Sequence, residues 1–337
     1  MNKLKRISIN TLITIAPAVI VYLLFMLVTN LFGVPGFGVG GDLKIILYNT
    51  LYSGFIALAL SYNLTSGRFD FSVGSVLLLS VIAGGNLAKN WDLGPIGMLL
   101  LCLVIGMVCG LISGIIYITL KLPPMVSSLG VAMVFEAIGF TINKGRGVRL
   151  MTDFDLLIWS EPLYSILLMA VVLIILIYLL NFTKFGYNCH SLQTGQKNAV
   201  EVGVNEKTNS VICYVIAGAM MACAGVLFLC KNGMVSPKAG LGSSSYMMSA
   251  FLPMFIGQAL AKHSDRNIGT IVGAFCQACL TSGLINLGCG SALKTVLDGV
   301  VVLLFLVYTS NIHKVALRKI WNDKKSRALA ELTTVQK

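Results

Sequence analysis

Charge is scarce in this sequence, and acid is scarcer than base. Only 11% of the 337 residues are charged, 13 Asp and Glu against 25 Lys and Arg. A soluble domain carries roughly 25% charged residues. A chain that is 56% hydrophobic, with a mean hydropathy of +0.85, cannot hide that much apolar surface from water, so lipid is the expected solvent. Histidine is nearly absent. His190, His263 and His313 all fall in polar stretches outside the apolar runs. An intramembrane hydrolase needs a nucleophile and a base at depth, and no Ser–His pair of that kind can be drawn. A Ser–Lys or paired-Asp site stays open but has no motif behind it. No small-residue cleavage site follows the first apolar run, so "MNKLKR" and that run are expected to form a retained first helix and not a signal peptide. No run alternates in the dyad pattern of a membrane barrel.

Two phosphate-binding look-alikes also fail. "GFGVGG" at 36–41 follows an apolar run and not a strand, and "GCGSALKT" at 288–295 has Leu293 where a Walker loop needs Gly. The chain therefore has no recognisable ATP site. Most of the nine cysteines lie inside apolar runs, and Cys276 and Cys279 form a C-x-x-C with no second pair and no nearby His. That pattern suits packing and no metal site is expected.

Ten apolar segments are present, near 10–32, 43–62, 71–88, 96–120, 125–142, 162–181, 210–230, 246–261, 267–287 and 293–311. They predict an all-α polytopic membrane protein of about ten transmembrane helices. The segments at 71–88, 125–142 and 246–261 are short, so the third helix is expected to be short or broken, and the other two are candidates for the same or for re-entrance. With both termini cytoplasmic, 17 of the 25 basic residues fall on the inner side, as the positive-inside rule asks. The transmembrane domain then runs over 1–312 and a basic cytoplasmic tail over 313–337. The net charge of +12 is read as attraction to anionic lipid heads and not to nucleic acid.

Several residues carry the functional reading. "GMVCGLISG" places Gly106, Gly110 and Gly114 four apart, the spacing that lets helices approach closely in lipid. "SYNLTSGRFDFSVGS" puts Asn63, Arg68 and Asp70 in a joint between two apolar runs. There Asp70 or Ser72 can cap the following helix by accepting backbone N–H bonds, Gly67 and Gly74 permit close approach, and a pathway role is compatible with both. Arg68 is expected to pair with Asp70 or to face lipid heads. Glu136 and Asp298 are carboxylates within apolar segments, which marks them either as pathway residues or as partners in an ion pair with a neighbouring helix. Asn49, Gln258, Gln277 and Asn286 are neutral polar groups within the apolar segments. The longest loop on the expected inner side, about 182–209, contains a helix-compatible piece at "QKNAVEVGV" between Gly195 and Gly203. Its Ala199, Val200 and Val202 give it an apolar surface that a docking element needs and a solvated loop does not.

Four stretches together resemble the ribose-type simple-sugar permease family, the membrane subunits of bacterial ABC importers. They are "LTSGRFDFSVGS" at 64–75, "KLPPMVSSLGVAMVFEAIGFTINKGRGV" at 121–148, "TKFGYNCHSLQTGQKNAVEVGV" at 183–204 and "GTIVGAFCQACLTSGLINLG" at 269–288. The resemblance implies an importer subunit in the bacterial cytoplasmic membrane and not an enzyme. ATP and Mg would sit on a separate ATPase subunit. That subunit would be coupled through Gly195, Lys197, Ala199, Val200, Glu201 and Gly203. It further implies a second permease subunit, identical or not, a soluble solute-binding protein on the outer side, and a small polar solute, a simple sugar first. Pathway candidates are Asp70, Ser72, Gly74, Glu136, Gln258 and Asp298. Arg68 stands where relatives usually carry Gly, Glu136 where they commonly carry Arg, and Asp298 where they often carry a basic residue. The rival reading is a proton-coupled secondary transporter that titrates Glu136 or Asp298.

Overall fold

In lipid each segment must satisfy its own backbone, and a helix does so internally. The apolar runs accordingly fold as long helices. The structure, a computed structural model, describes residues 3–34, 37–64, 68–261 and 263–290, and beyond these only positions 293, 296–297, 299–304, 307 and 311. The long helices are α1 (Lys3–Leu31), α2 (Gly41–Leu64), α3 (Ser72–Asn90), α4 (Gly94–Leu120), α5 (Pro124–Thr141) and α6 (Pro162–Phe182). Two short ones follow, α7 (Lys184–Thr194) and α8 (Gln196–Glu201). Then come α9 (Glu206–Asn232), the short pair α10 (Ser244–Met248) and α11 (Phe251–Leu260), and α12 (Arg266–Asn286). Proline opens α4, α5 and α6, where its missing N–H costs nothing. Gly233 closes α9 in a left-handed conformation.

Eight helices among the described residues are long and apolar enough to cross a membrane, so the protein is a multi-pass, mostly helical membrane protein. The segment expected at 246–261 is broken into α10 and α11 at Ser249 and Ala250. The third helix is continuous, and at 19 residues it is short. The tenth expected segment, 293–311, belongs to a second unit, Cys289–Lys337, whose described positions from 293 on are helical. One ordered feature among the described residues is not helical. Val148–Arg149 (β1) pairs antiparallel with Met234–Val235 (β2), Val148 opposite Val235. Gly147 makes this ribbon possible: its φ is +68°, and a Cβ there would lie 2.0 Å from the Val235 carbonyl oxygen.

The centre of the bundle is α3, 78% of whose most apolar window is buried, followed by α9 at 67%; α1 at 11% and α6 at 22% lie at the rim. Helices α4 and α9 meet through small residues. A Cβ on Gly106 would come within 2.5 Å of the Gly218 carbonyl oxygen, one on Gly110 within 2.3 Å of the Tyr214 carbonyl oxygen, and one on Gly114 within 3.1 Å of the Val211 Cα. These obstacles are backbone and cannot swing aside. Gly110→Ala is therefore expected to cost about 1–3 kcal/mol through overpacking. This reads out as a lower melting temperature in detergent. Gly130→Ala, with nothing within 4 Å of its would-be Cβ, is the control and should not lose stability. Equal melting temperatures for both variants would mean that α4 and α9 separate freely.

Candidate functional site

The joint before α3 lies inside the bundle. Ser72 Oγ is 3.4 Å from Ser113 Oγ, while α4 continues seven residues further to Leu120, about 10 Å at 1.5 Å per residue. Irregular backbone at that depth needs partners, and polar side chains supply them. Asp70 Oδ1 accepts the Ser72 N–H at 2.8 Å and the Ser72 hydroxyl at 2.6 Å, and Oδ2 lies 3.4 Å from the Asn63 amide. Asp70 thus holds the first turn of α3, and Ser72 donates to it instead of capping. The Phe71 N–H goes to Ser128 Oγ of α5 at 3.0 Å. Arg68 neither pairs with Asp70 nor faces lipid. It is 2% exposed, donates from Nη1 to Ser210 Oγ of α9, and leaves Nε and Nη2 without partners. Arg68 thereby ties the joint to α9.

Glu136 is buried in α5. Its Oε2 accepts the Leu241 N–H and its Oε1 the Ser243 N–H, both at 2.9 Å. The carboxylate thereby holds the segment that enters α10, and no ion pair to it is present among the described residues. Gly74 makes room for the same segment, since a Cβ there would sit 2.2 Å from the Ser243 carbonyl oxygen. Two pathway candidates, Gly74 and Glu136, therefore converge on residues 241–243, next to the layer of Asp70 and Ser72. The void beside Asp70 and Ser72 is only about 10 Å3. Gln277 donates to the Ser249 carbonyl at the break between α10 and α11. Gln258 is exposed on α11, and Asp298 lies outside the described residues.

Asp42 is a functional residue that sequence reasoning missed. Its carboxylate accepts the Gly38 N–H at 2.6 Å, the Ser282 hydroxyl at 2.5 Å and the Asn286 amide at 3.3 Å. It ties the start of α2 to the end of α12. An acidic residue in the first turn of a helix was the available signal. Gly218, which faces Gly106 and Gly110, was likewise legible only as one small residue among many. Asn49 accepts the Lys231 ammonium at 3.2 Å.

At the end of the bundle that holds Arg68, residues 182–209 fold back as α7 and α8. In α7, Gly186, Cys189 and Leu192 are buried, one face at spacing three. A Cβ on Gly186 would sit 1.9 Å from the Leu180 carbonyl oxygen. In α8, Ala199 turns inward, while Lys197, Val200 and Glu201 are exposed. Val202, just past its end, is 86% exposed. Gly203 then takes φ +98°, a conformation that favours glycine, while Gly195 is in extended backbone. At the opposite end, beside the ribbon, a cavity of about 600 Å3 is lined by Asn86, Lys89, Asn143, Arg146 and Arg149 among others. Lys89 pairs with Asp153 at 2.6 Å, and its hydrogen bond holds the Asp153 carboxyl below the ordinary carboxylate range.

This architecture has known relatives. A profile of the family described as the permease component of branched-chain amino acid transport systems matches residues 43–306. The autoinducer 2 import system permease protein LsrC of Photorhabdus luminescens is 26% identical over 286 residues, 83% of this chain and 85% of the relative. LsrC of Yersinia pseudotuberculosis is 26% identical over 281 residues, 82% of this chain and 79% of the relative. The ribose import permease protein RbsC of Bacillus subtilis is 26% identical over 267 residues, 77% of this chain and 81% of the relative. The profile spans the long helices from α2 onward and the relatives cover most of the chain, so the chain belongs to the family of ABC permeases that includes the ribose-type import permeases, and it is a transport subunit and not an enzyme.

Proposed function

We propose that the chain is the membrane-spanning subunit of a bacterial inner-membrane ABC importer for a small polar solute, a simple sugar or a sugar-like molecule first. The observation that carries this reading is the match of most of the chain to the permease family, with relatives named for ribose and autoinducer 2 import. The end bearing α7 and α8 faces the cytoplasm. Support comes from the distribution of Lys and Arg along the sequence, which assigns 17 of 25 to the cytoplasmic side together with the loop that forms α7 and α8. There α8, with Val200 and Val202 outward, docks into a separate ATPase, which holds ATP and Mg. Closure of the ATPase shifts α7 and α8 and biases the bundle between two states. The ribbon end, with its basic cavity, receives a solute-binding protein. A second permease subunit completes the pathway, which accords with the small void at Asp70 and Ser72. Glu136 already accepts two backbone N–H groups, a holding role that lends the proton-coupled alternative no support at that residue, and Asp298 lies outside the described residues.

Affinity purification of the full chain from its native membrane, followed by mass spectrometry, is expected to recover an ABC ATPase. Recovery of the chain alone, under conditions in which a known ABC complex survives, overturns the importer reading. Uptake of labelled ribose and of labelled leucine, compared between the native strain and one lacking this chain, tests the solute class. Loss of leucine uptake with unchanged ribose uptake moves the assignment to branched-chain amino acids, the solutes in the family's description.

A further inference from the structure

At the α7 end of the bundle, a cavity of about 310 Å3 lies between the last turns of α2 and α6, the side of α7 and the start of α12. Asn181, His190, Gln193, Asp265, Arg266 and Asn267 line it. The polar groups left unmatched in this wall are donors and a cation. Arg266 donates from Nη2 to Gln193 Oε1 at 2.7 Å, its buried Nε has no partner, and no carboxylate pairs with it among the described residues. Asn267 is wholly buried. Its Oδ1 accepts the Tyr62 hydroxyl at 3.2 Å, and its Nδ2 has no acceptor. The neighbouring Asp265 carboxylate acts on Arg266 through its charge but forms no close ion pair with it among the described residues. Asp265 Oδ1 accepts the Asn267 N–H at 2.8 Å and Oδ2 accepts the Asn181 amide at 3.0 Å, so Asp265 serves as the cap of α12.

Buried donors nearly always have acceptors, and an arginine in a partly dry wall calls for an anion. The first turn of a 21-residue helix adds partial positive charge at the same place. Guanidinium and amide N–H groups suit phosphate oxygens. The cavity, about 310 Å3, has room for a small group attached to the phosphate.

We propose that this cavity binds a phosphate ester through Arg266 and Asn267, with His190 at its rim. Two sources share that chemistry: a phosphorylated small molecule in the cytoplasm, and the headgroup of an anionic phospholipid. Either ligand joins α7 to the start of α12 and braces the helix that leads into α8. This last consequence rests on the proposed docking role of α8, whereas binding itself does not.

The test uses the purified, delipidated full chain without ATPase. Labelled inorganic phosphate and a hexose phosphate are offered in equilibrium dialysis. Retention of phosphatidylglycerol against phosphatidylcholine is read by native mass spectrometry. The expected result is saturable binding of phosphate or hexose phosphate, or selective retention of phosphatidylglycerol, which tells the two sources apart. Arg266→Gln should weaken binding at least tenfold, and His190→Ala, at an exposed residue, several-fold. If Arg266→Gln does not fold, His190→Ala decides. Absence of both forms of binding in the native chain overturns the proposal, as does binding unchanged in a folded Arg266→Gln and in His190→Ala. Because no uptake or ATPase is measured, failure here leaves the importer reading standing.

Discussion

Replacing Val200 and Val202 together by Asp is expected to abolish solute uptake while leaving the chain at normal abundance in the membrane. Both side chains are exposed apolar groups, Val200 at 45% and Val202 at 86%, on a segment that also carries the polar Lys197, Glu201 and Asn205. Neither belongs to the buried core among the described residues, so the chain's own stability should largely hold. If α8 docks into an ATPase, each valine buries apolar surface there, worth roughly 1.5–3 kcal/mol when fully covered. Two charges in their place also bring a desolvation cost. A combined loss of 3 kcal/mol or more corresponds to a fall of about 100-fold in affinity. The ATPase should then be lost from affinity-purified complexes, and uptake with it. Ala199→Glu and Gly203→Glu act by another route. Ala199 is buried beneath α8 and Gly203 has φ +98°, so these changes distort the element itself. Normal uptake and normal ATPase recovery in the Val200, Val202 double variant would remove α8 from the coupling role.

The contrast between these residues marks what the sequence could reveal. A short helix between Gly195 and Gly203 was legible because two glycines bracket a run of helix formers, and α8 forms there. The helix α7 before it was not. Its buried stripe of Gly186, Cys189 and Leu192 is thin and interrupted by polar residues, too weak to stand out from a loop. The long spans were legible from hydropathy, because lipid forces each apolar run to satisfy its own backbone. The ribbon of β1 and β2 was not, since two-residue strands depend on partners 85 and 87 positions away in register and carry no periodicity of their own. The joint at Asn63–Ser72 stood out as a site from its charges, yet the roles inside it were settled by distance. Asp70 holds Ser72, and Arg68 turns to Ser210.

Glu136 offers the sharpest separation of the remaining roles. Glu136→Ala is expected to reduce folded protein severely, and Glu136→Gln less so. The alanine variant strands the N–H groups of Leu241 and Ser243, each now held at 2.9 Å. A buried donor left without a partner costs about 1–3 kcal/mol. The loss does not stop there, because residues 241–243 are the segment that Gly74 accommodates against α3, and releasing it loosens the entry to α10. Glutamine keeps one acceptor oxygen but presents an amide N–H₂ to the second donor, so one bond survives and one becomes a clash of donors. The expected order of melting temperatures in detergent is native, then Gln, then Ala, with uptake per folded molecule near native in the Gln variant and its pH profile unchanged. A proton-coupled carboxylate would give the opposite pattern: Glu136→Gln would fold as well as the native chain, yet its uptake would lose pH dependence or vanish. A folded, native-stability Glu136→Ala would sink the capping role. Because the two readings differ in which quantity moves, stability or uptake per folded molecule, one pair of variants decides between a carboxylate that shapes the bundle and one that works in the pathway.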